Sequence, residues 1–156
     1  MQNPSRRLFV TAALSAGLAI GLGRSLRAAE NLSPVPGKRV ALAGHDPVSY
    51  FTRGRPEKGS REFWFAFDDA VYLFSSAKQR ALFAADPERY APQYHGYCTM
   101  KVSEGEKAEA DPDAWGIAGG KLYVFRSKRG LARFNENRTE ILSKADAAWQ
   151  ALRVPR

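Results

Sequence analysis

The sequence predicts a small α+β domain, and three observations carry that prediction. Two pairs of short aromatic-rich runs are each separated by about two turn residues, the mark of antiparallel hairpins. Segments with helix-start chemistry, Asp-Pro or Ser-x-x-Gln, stand beside these runs. From Ser127 onward the apolar residues switch to helical spacing, which predicts a C-terminal helical segment. Hairpins and helices mixed in this way argue for α+β rather than strict β-α-β alternation.

The chain has 156 residues, enough for one domain, and reads in three parts. Residues 1–29 form a leader, 30–39 a linker, and 40–153 the domain. The leader opens on Ser5-Arg6-Arg7, continues through an apolar run from Leu8 to Leu22, and reaches small residues at Ala28-Ala29. That order is the order of a secretory signal. Paired arginines before a weakly apolar run fit a bacterial twin-arginine signal. The run of about 15 residues is short of the ~20 that a membrane span needs. The expectation is therefore cleavage near Ala28 or Ala29, a periplasmic or secreted product in an oxidising compartment, and no stable membrane span after signal removal.

In the linker, Ser33-Pro34-Val35-Pro36-Gly37 argues for extended chain. Val40 to Ala43 predicts a short strand. Asp46 and Pro47 suit the cap and first position of a helix. Glu62–Phe67 and Ala70–Phe74 predict the first hairpin, turning at Asp68-Asp69. Ser76 with Gln79 fits a capping box, and the helix runs from Ala77 to Ala85 with Ala81, Leu82 and Ala85 on its apolar side. Asp86-Pro87 starts a helical turn through Tyr90, which Pro92 ends. Ser103 to Ala110 is charged and exposed, and Asp111-Pro112-Asp113 is a turn. Trp115–Ala118 and Leu122–Phe125 predict the second hairpin, through Gly119-Gly120. Leu131, Phe134, Ile141, Leu142, Ala145, Ala148, Trp149 and Leu152 predict one or two helices, broken near Asn135 to Asn137. Trp64, Trp115 and Trp149 read as core, and no internal repeat is expected.

Charge narrows the partners. The net charge is +8, but Arg6, Arg7, Arg24 and Arg27 supply half of it from the leader, leaving +4 on the mature chain. No basic run interleaved with aromatics follows, so no nucleic acid is expected as a partner. Phosphate-loop and nucleophile-elbow patterns are absent from the sequence.

Candidate chemistry concentrates between Tyr90 and Met100. This stretch holds the only cysteine, one of two histidines, the only methionine after Met1, and Tyr90, Tyr94 and Tyr97. His95-x-x-Cys98 brings two metal donors within chelating distance. A strand through Cys98-Thr99-Met100 would set both sulfurs on one face. Histidine, cysteine and methionine together suit copper, and His45 completes the set if the fold brings it near. A lone cysteine also reads as a redox thiol, or as a small buried hydrophobe in a structural or partner-binding domain. The tyrosines read as half-buried packing with hydrogen-bonded hydroxyls.

Several longer phrases stand together: Gly44-His-Asp-Pro-Val-Ser-Tyr-Phe51, Phe74-Ser-Ser-Ala77, Phe83-Ala-Ala-Asp-Pro-Glu-Arg-Tyr-Ala-Pro-Gln-Tyr94, Gly96-Tyr-Cys98 and Gly120-Lys-Leu-Tyr123. Together they resemble the exported, selenoprotein-type branch of the YHS-domain family, from about Val40 to Leu152. The resemblance implies a signal peptide followed by one small α+β domain. It implies kinship with small metal-binding modules found beside heavy-metal transporters. It also implies a reactive chalcogen at Cys98, where some members carry selenocysteine. Ser49 stands where the metal-binding modules have a cysteine, His45 where the exported branch commonly has Tyr, and His95 where it often has Gly.

The leading expectation is a non-enzymatic periplasmic protein that binds a soft metal ion, copper above others, through Cys98 with His95, Met100 and His45 as further candidate ligands. The alternatives are a thiol redox protein working through Cys98, and a structural or partner-binding domain in which Cys98 is packing.

Overall fold

The structure, a computed structural model, describes residues 33–153. The leader expected over residues 1–29 lies outside the described residues. The α+β class is correct, and short strands and helices alternate in small sheets as the hairpin signals require. Strand β1 (Arg39–Val40) pairs parallel to β3 (Ala70–Phe74), which pairs antiparallel to β2 (Ser60–Phe67). A second sheet joins β4 (Asp111–Ala118) to β5 (Lys121–Phe125). The helices are α1 (Pro47–Thr52), α2 (Ala77–Ala85), α3 (Pro87–Tyr90), α4 (Thr99–Ser103), α5 (Lys128–Glu136) and α6 (Arg138–Leu152).

Local chemistry explains most boundaries. Asp46 caps α1 by accepting the Val48 N–H, with Pro47 at the first helical position. Ser76 caps α2 and Ser127 caps α5, each accepting the N–H three residues on. At the β4–β5 turn Gly119 and Gly120 both take positive φ, as a tight hairpin turn demands. The helix break falls at Asn137, between α5 and α6.

The same succession of elements occurs twice, against the expectation of no internal repeat. Each half runs turn, helix, bulged hairpin, Ser-capped helix, helix. The first turn is Ala41–Gly44, with Leu42, Ala43 and Gly44 all at positive φ; the second is Gln93–Gly96, with Tyr94, His95 and Gly96 so. Hairpins β2–β3 and β4–β5 carry a register shift at the matching place, before Trp64 and before Trp115. Isolated bridges His45 to Lys58 and Tyr97 to Glu109 close the two loops alike. Few residues are identical between halves: Ala81 and Ala132, Gly44 and Gly96, Trp64 and Trp115, Tyr72 and Tyr123, Phe74 and Phe125, Ser76 and Ser127, Phe83 and Phe134. The last three pairs form one pattern, Phe-x-Ser followed by Phe on the helix.

The two left-handed turns pack on each other. A Cβ on Gly96 would lie 3.2 Å from Pro92 and 3.5 Å from both Ala41 and Leu42, at a φ that disfavours any side chain. Two apolar clusters flank this contact. Phe83 is fully buried among the rings of Phe65, Phe67, Tyr72 and Phe74 in one. Phe134 sits against Tyr123 and Phe125 in the other. Strand β5 serves both, giving Leu122 and Val124 to the first cluster and Tyr123 and Phe125 to the second. Burial on both faces is why it reads as a continuous apolar run.

Several expectations need correction. Only Arg39–Val40 is strand; Ala41 to Ala43 turn away into the left-handed segment. Cys98-Thr99-Met100 is not a strand, because Cys98 is the residue before α4 and Thr99 begins that helix. Asp111-Pro112-Asp113 is no free turn but the start of β4. On α2 the buried residues are Gln79 and Phe83, while Ala81 and Ala85 are exposed. Ser76 and Gln79 make half a capping box, since the Gln79 amide donates to Thr52 instead of reaching back. Trp64 is 37% exposed and so is not core.

Candidate functional site

Cys98 occupies, in the second half, the place that Asp46 occupies in the first. Both residues precede the short helix that follows a left-handed turn. Asp46 is fully buried and saturated: its carboxylate accepts from the Val48 N–H at 2.9 Å, the Ser75 N–H at 2.9 Å and the Ser75 hydroxyl at 2.8 Å. Cys98 is also buried, but its Sγ accepts one bond, from the Arg126 N–H at 3.3 Å. Arg126 is the counterpart of Ser75. The Cys98 N–H donates to the Ala108 carbonyl, and the Cys98 carbonyl accepts from the Val102 N–H, so the backbone of Cys98 is fixed on both sides.

A cavity of about 440 Å³ opens on this thiol. Cys98, Met100, Lys101, Arg126, Arg129 and Arg133 line it, with Ser127 and Gly130. The cations come from three elements: Lys101 from α4, Arg126 from the end of β5, and Arg129 and Arg133 from one side of α5. Lys101 is held by Glu104 at 2.6 Å and Glu106 at 3.4 Å, and that hydrogen bonding raises its pKa. Among the described residues, Arg126, Arg129 and Arg133 make no ion pair.

The first half has a matching cavity of about 530 Å³, lined by Ser75, Ser76, Lys78, Gln79 and Leu82 together with Thr52, Arg53 and Glu57. The two linings differ at four matched positions around the helix start. Ser75 becomes Arg126, Lys78 stays basic as Arg129, and Leu82 becomes Arg133. Gln79, buried and bonded to Thr52 at 2.9 Å, becomes Gly130. Losing that side chain clears space beside Met100, whose Cγ lies 3.5 Å from where a Cβ on residue 130 would stand. Asp46 does not line the first cavity, whereas Cys98 lines the second.

The structure brings together only part of the expected ligand set. Cys98 and Met100 share the cavity, although a helix start rather than a strand places them there. His95 lines a different cavity, of about 390 Å³, with Tyr94, Asp68, Asp146 and Trp149. Its Nδ1 is 2.6 Å from Asp69 and its Nε2 3.2 Å from Asp68, and its ring stands edge-on to Trp149. His45 stays in the first half, with Nδ1 3.0 Å from the Leu42 carbonyl. Among the described residues no group of three or more His, Cys, Asp or Glu side chains is arranged to hold a metal ion.

The tyrosines of the stretch face away from the thiol cavity. Tyr94 donates to Asp146 at 2.8 Å, and burial followed by that hydrogen bond pushes its pKa well up. Tyr97 lies under the Arg39 guanidinium, 3.9 Å from its ring centre, and burial raises its pKa too. Arg39 also pairs with Glu109 at 3.0 Å and donates to the His95 carbonyl, tying β1 to the second turn.

Lys101, Arg126, Arg129, Gly130 and Arg133 were missed as site residues in the sequence. Their signal was the spacing of Arg126, Arg129 and Arg133, which fits one helical face. No helix among the described residues is long and apolar enough to cross a membrane. The chain matches no family model, no curated protein and no solved structure.

Proposed function

We propose that this chain is an exported YHS-type domain whose working group is the Cys98 thiol, acting by thiol–disulfide exchange. The observation that carries this reading is the cavity itself. Cys98 is buried against the protein yet lines an open space, and Arg126, Gly130 and Arg133 beside it replace Ser75, Gln79 and Leu82 of the first half. The Arg126 N–H points at sulfur from 3.3 Å and fixes its position at the cavity wall. The thiolate attacks one sulfur of a disulfide, the old S–S bond breaks, and the departing half leaves as a thiolate that takes a proton from water. Cys98 is the only cysteine, so the chain has no internal resolving thiol. The mixed disulfide persists until an external thiol attacks it and releases Cys98.

The test is intact-mass analysis of the folded protein after brief exposure to a small disulfide. One adduct per chain, absent in Cys98→Ala and removed by added thiol, is the expected result. A native protein that stays unmodified while its urea-unfolded form reacts at once would overturn the reading.

A second reading has one observation in its favour: Cys98 and Met100 offer two soft sulfurs to one cavity. Copper(I) is the ion that pair suits. Three arginines of the same lining, without an acidic partner among the described residues, oppose a cation, which places this reading second. Competition with a chromophoric Cu(I) chelator, beside Cys98→Ala and Met100→Leu, decides it: equal Cu(I) uptake by all three proteins removes it.

A further inference from the structure

The cationic lining can be considered apart from the thiol that it surrounds. Arg126, Arg129 and Arg133 stand around one cavity with no carboxylate paired to any of them among the described residues. Several other surface cations of this domain are paired with acids. Arg39 holds Glu109, Arg55 holds Glu57, Lys101 holds Glu104, and Lys144 holds Glu140. In the matching cavity of the first half Arg53 stands 4.0 Å from Glu57, which leaves Lys78 as the one lining cation without an acidic partner among the described residues. In the cavity that contains the cysteine, three of the four cations have no acidic partner among the described residues. Arranging like charges around a concavity costs stability through mutual repulsion, and an anion relieves that cost. The N-terminus of α5, at Ser127, borders the same cavity and adds its partial positive charge.

We propose that this cavity selects small anionic thiol-reactive molecules, carboxylate-bearing disulfides above others, with Arg126, Arg129 and Arg133 holding the anionic group beside Cys98. This inference rests on the thiol reading for its chemistry but not for its binding step. The cavity is about 440 Å³, in the range that encloses a small molecule rather than a polymer or a protein surface. The occupant must therefore be compact, carry one or two negative charges, and present its sulfur near one end of the charged group. During exchange the guanidinium groups also lie beside the departing thiolate. They stabilise negative charge both before and after the S–S bond breaks.

The experiment compares matched reagents. Rates of Cys98 modification are measured with dianionic 3,3′-dithiodipropionate and dicationic cystamine, and with anionic iodoacetate and neutral iodoacetamide. Each ratio is divided by the same ratio for the urea-unfolded protein. A concave cluster of like charge raises the local concentration of its counter-ion by about 10-fold or more at low salt, so the anionic reagent should gain by at least that factor. The gain should fall steeply with ionic strength. It should shrink in Arg129→Gln and Arg133→Gln, whose side chains are exposed and whose loss leaves the fold intact. Normalised ratios near one in the native protein overturn the proposal.

The binding step is tested on its own with Cys98→Ser and adipate, an unreactive dicarboxylate, followed by amide chemical shifts at constant ionic strength. Shifts confined to residues 98–101 and 126–133 support the anion site even if the wild-type thiol proves inert, and that pairing would remove the thiol reading alone. Rapid exchange at Cys98 with no charge preference and no adipate shifts would leave the thiol reading standing and remove the anion site.

Discussion

Replacing Gly130 by alanine should make the protein more stable and its cysteine less accessible. A Cβ at residue 130 would meet Met100 at 3.5 Å, Phe125 at 3.6 Å and Ser127 at 3.7 Å, all ordinary van der Waals contacts. There is no clash to pay for the gain. Gly130 has helical backbone and its N–H already bonds the Ser127 hydroxyl, a bond that alanine keeps. Glycine in a helix costs about 0.8–1.0 kcal/mol relative to alanine. Position 130 lies in the first turn, where the effect is weaker, so roughly 0.5–1 kcal/mol is expected. That corresponds to a rise in Tm of about 2–6 °C for a domain of this size. Gly130→Gln goes further, restoring the side chain that the first half carries as Gln79. If modification of Cys98 then needs an opening that costs ~1.4 kcal/mol, its rate falls about tenfold. Thermal and urea melts give the first number, and iodoacetamide kinetics the second. An alanine variant less stable than the wild type, or a glutamine variant alkylated as fast as the wild type, would refute this role for Gly130.

Two further outcomes follow from the buried groups. Asp46→Ala should cost about 3 kcal/mol or more, because it removes the cap of α1 and leaves the Ser75 N–H without its acceptor. In urea the midpoint should fall by about 1–3 M, and a shift of a few tenths would show that water replaces the carboxylate at little cost. Tyr50 and Tyr72 set an alkaline limit. Burial, first among the causes, raises both pKa values well above the ordinary value of 10, so the folded chain keeps protons that the unfolded chain gives up. Their contribution is fully present below pH ~10 and is lost as pH rises from there toward the folded-state values, at about 1.4 kcal/mol per pH unit for each tyrosine. Phenolate absorbance should therefore appear in step with unfolding. Free titration of all six tyrosines near pH 10 with the fold intact would contradict this.

The sequence made local structure legible wherever one or two residues decide the backbone. Asp46-Pro47, Ser76 and Gly119-Gly120 each specify a cap or a turn by themselves, and each does so in the structure. The left-handed turns were illegible for the opposite reason. Leu42, Ala43, Tyr94 and His95 all disfavour positive φ, at a cost of about 1–2 kcal/mol each. What imposes it is packing between the two turns, a contact between distant parts of the chain. Cys98 was misplaced on a strand because cysteine is not a preferred capping residue, so nothing local marks the start of α4. The repeat stayed hidden because the halves share shape rather than residues. At the site, the sulfur pair of Cys98 and Met100 was readable from proximity in sequence. The separation of His95 was not, because the turn that carries it aims its side chain at Asp68 and Asp69.

The repeat supplies a control that a single domain lacks. If the thiol cavity were only a packing defect, its lining would have drifted without regard to sign. Instead the first half holds a carboxylate with three donors, a serine, a buried glutamine and a leucine. The second holds a thiol with one donor, an arginine, a glycine and another arginine at the same four places. One change sets sulfur at the cavity wall, one clears space beside it, and two add positive charge to the lining. Each of these lowers stability on its own: a lost cap, a helix glycine, unpaired like charges. The first half keeps the stabilising version of each, and Asp46 binds its helix to its hairpin without leaving an acceptor free. A fold that holds one copy rigid can tolerate the cost in the other, and local rules broken together at one place are the mark of a site rather than of a scaffold.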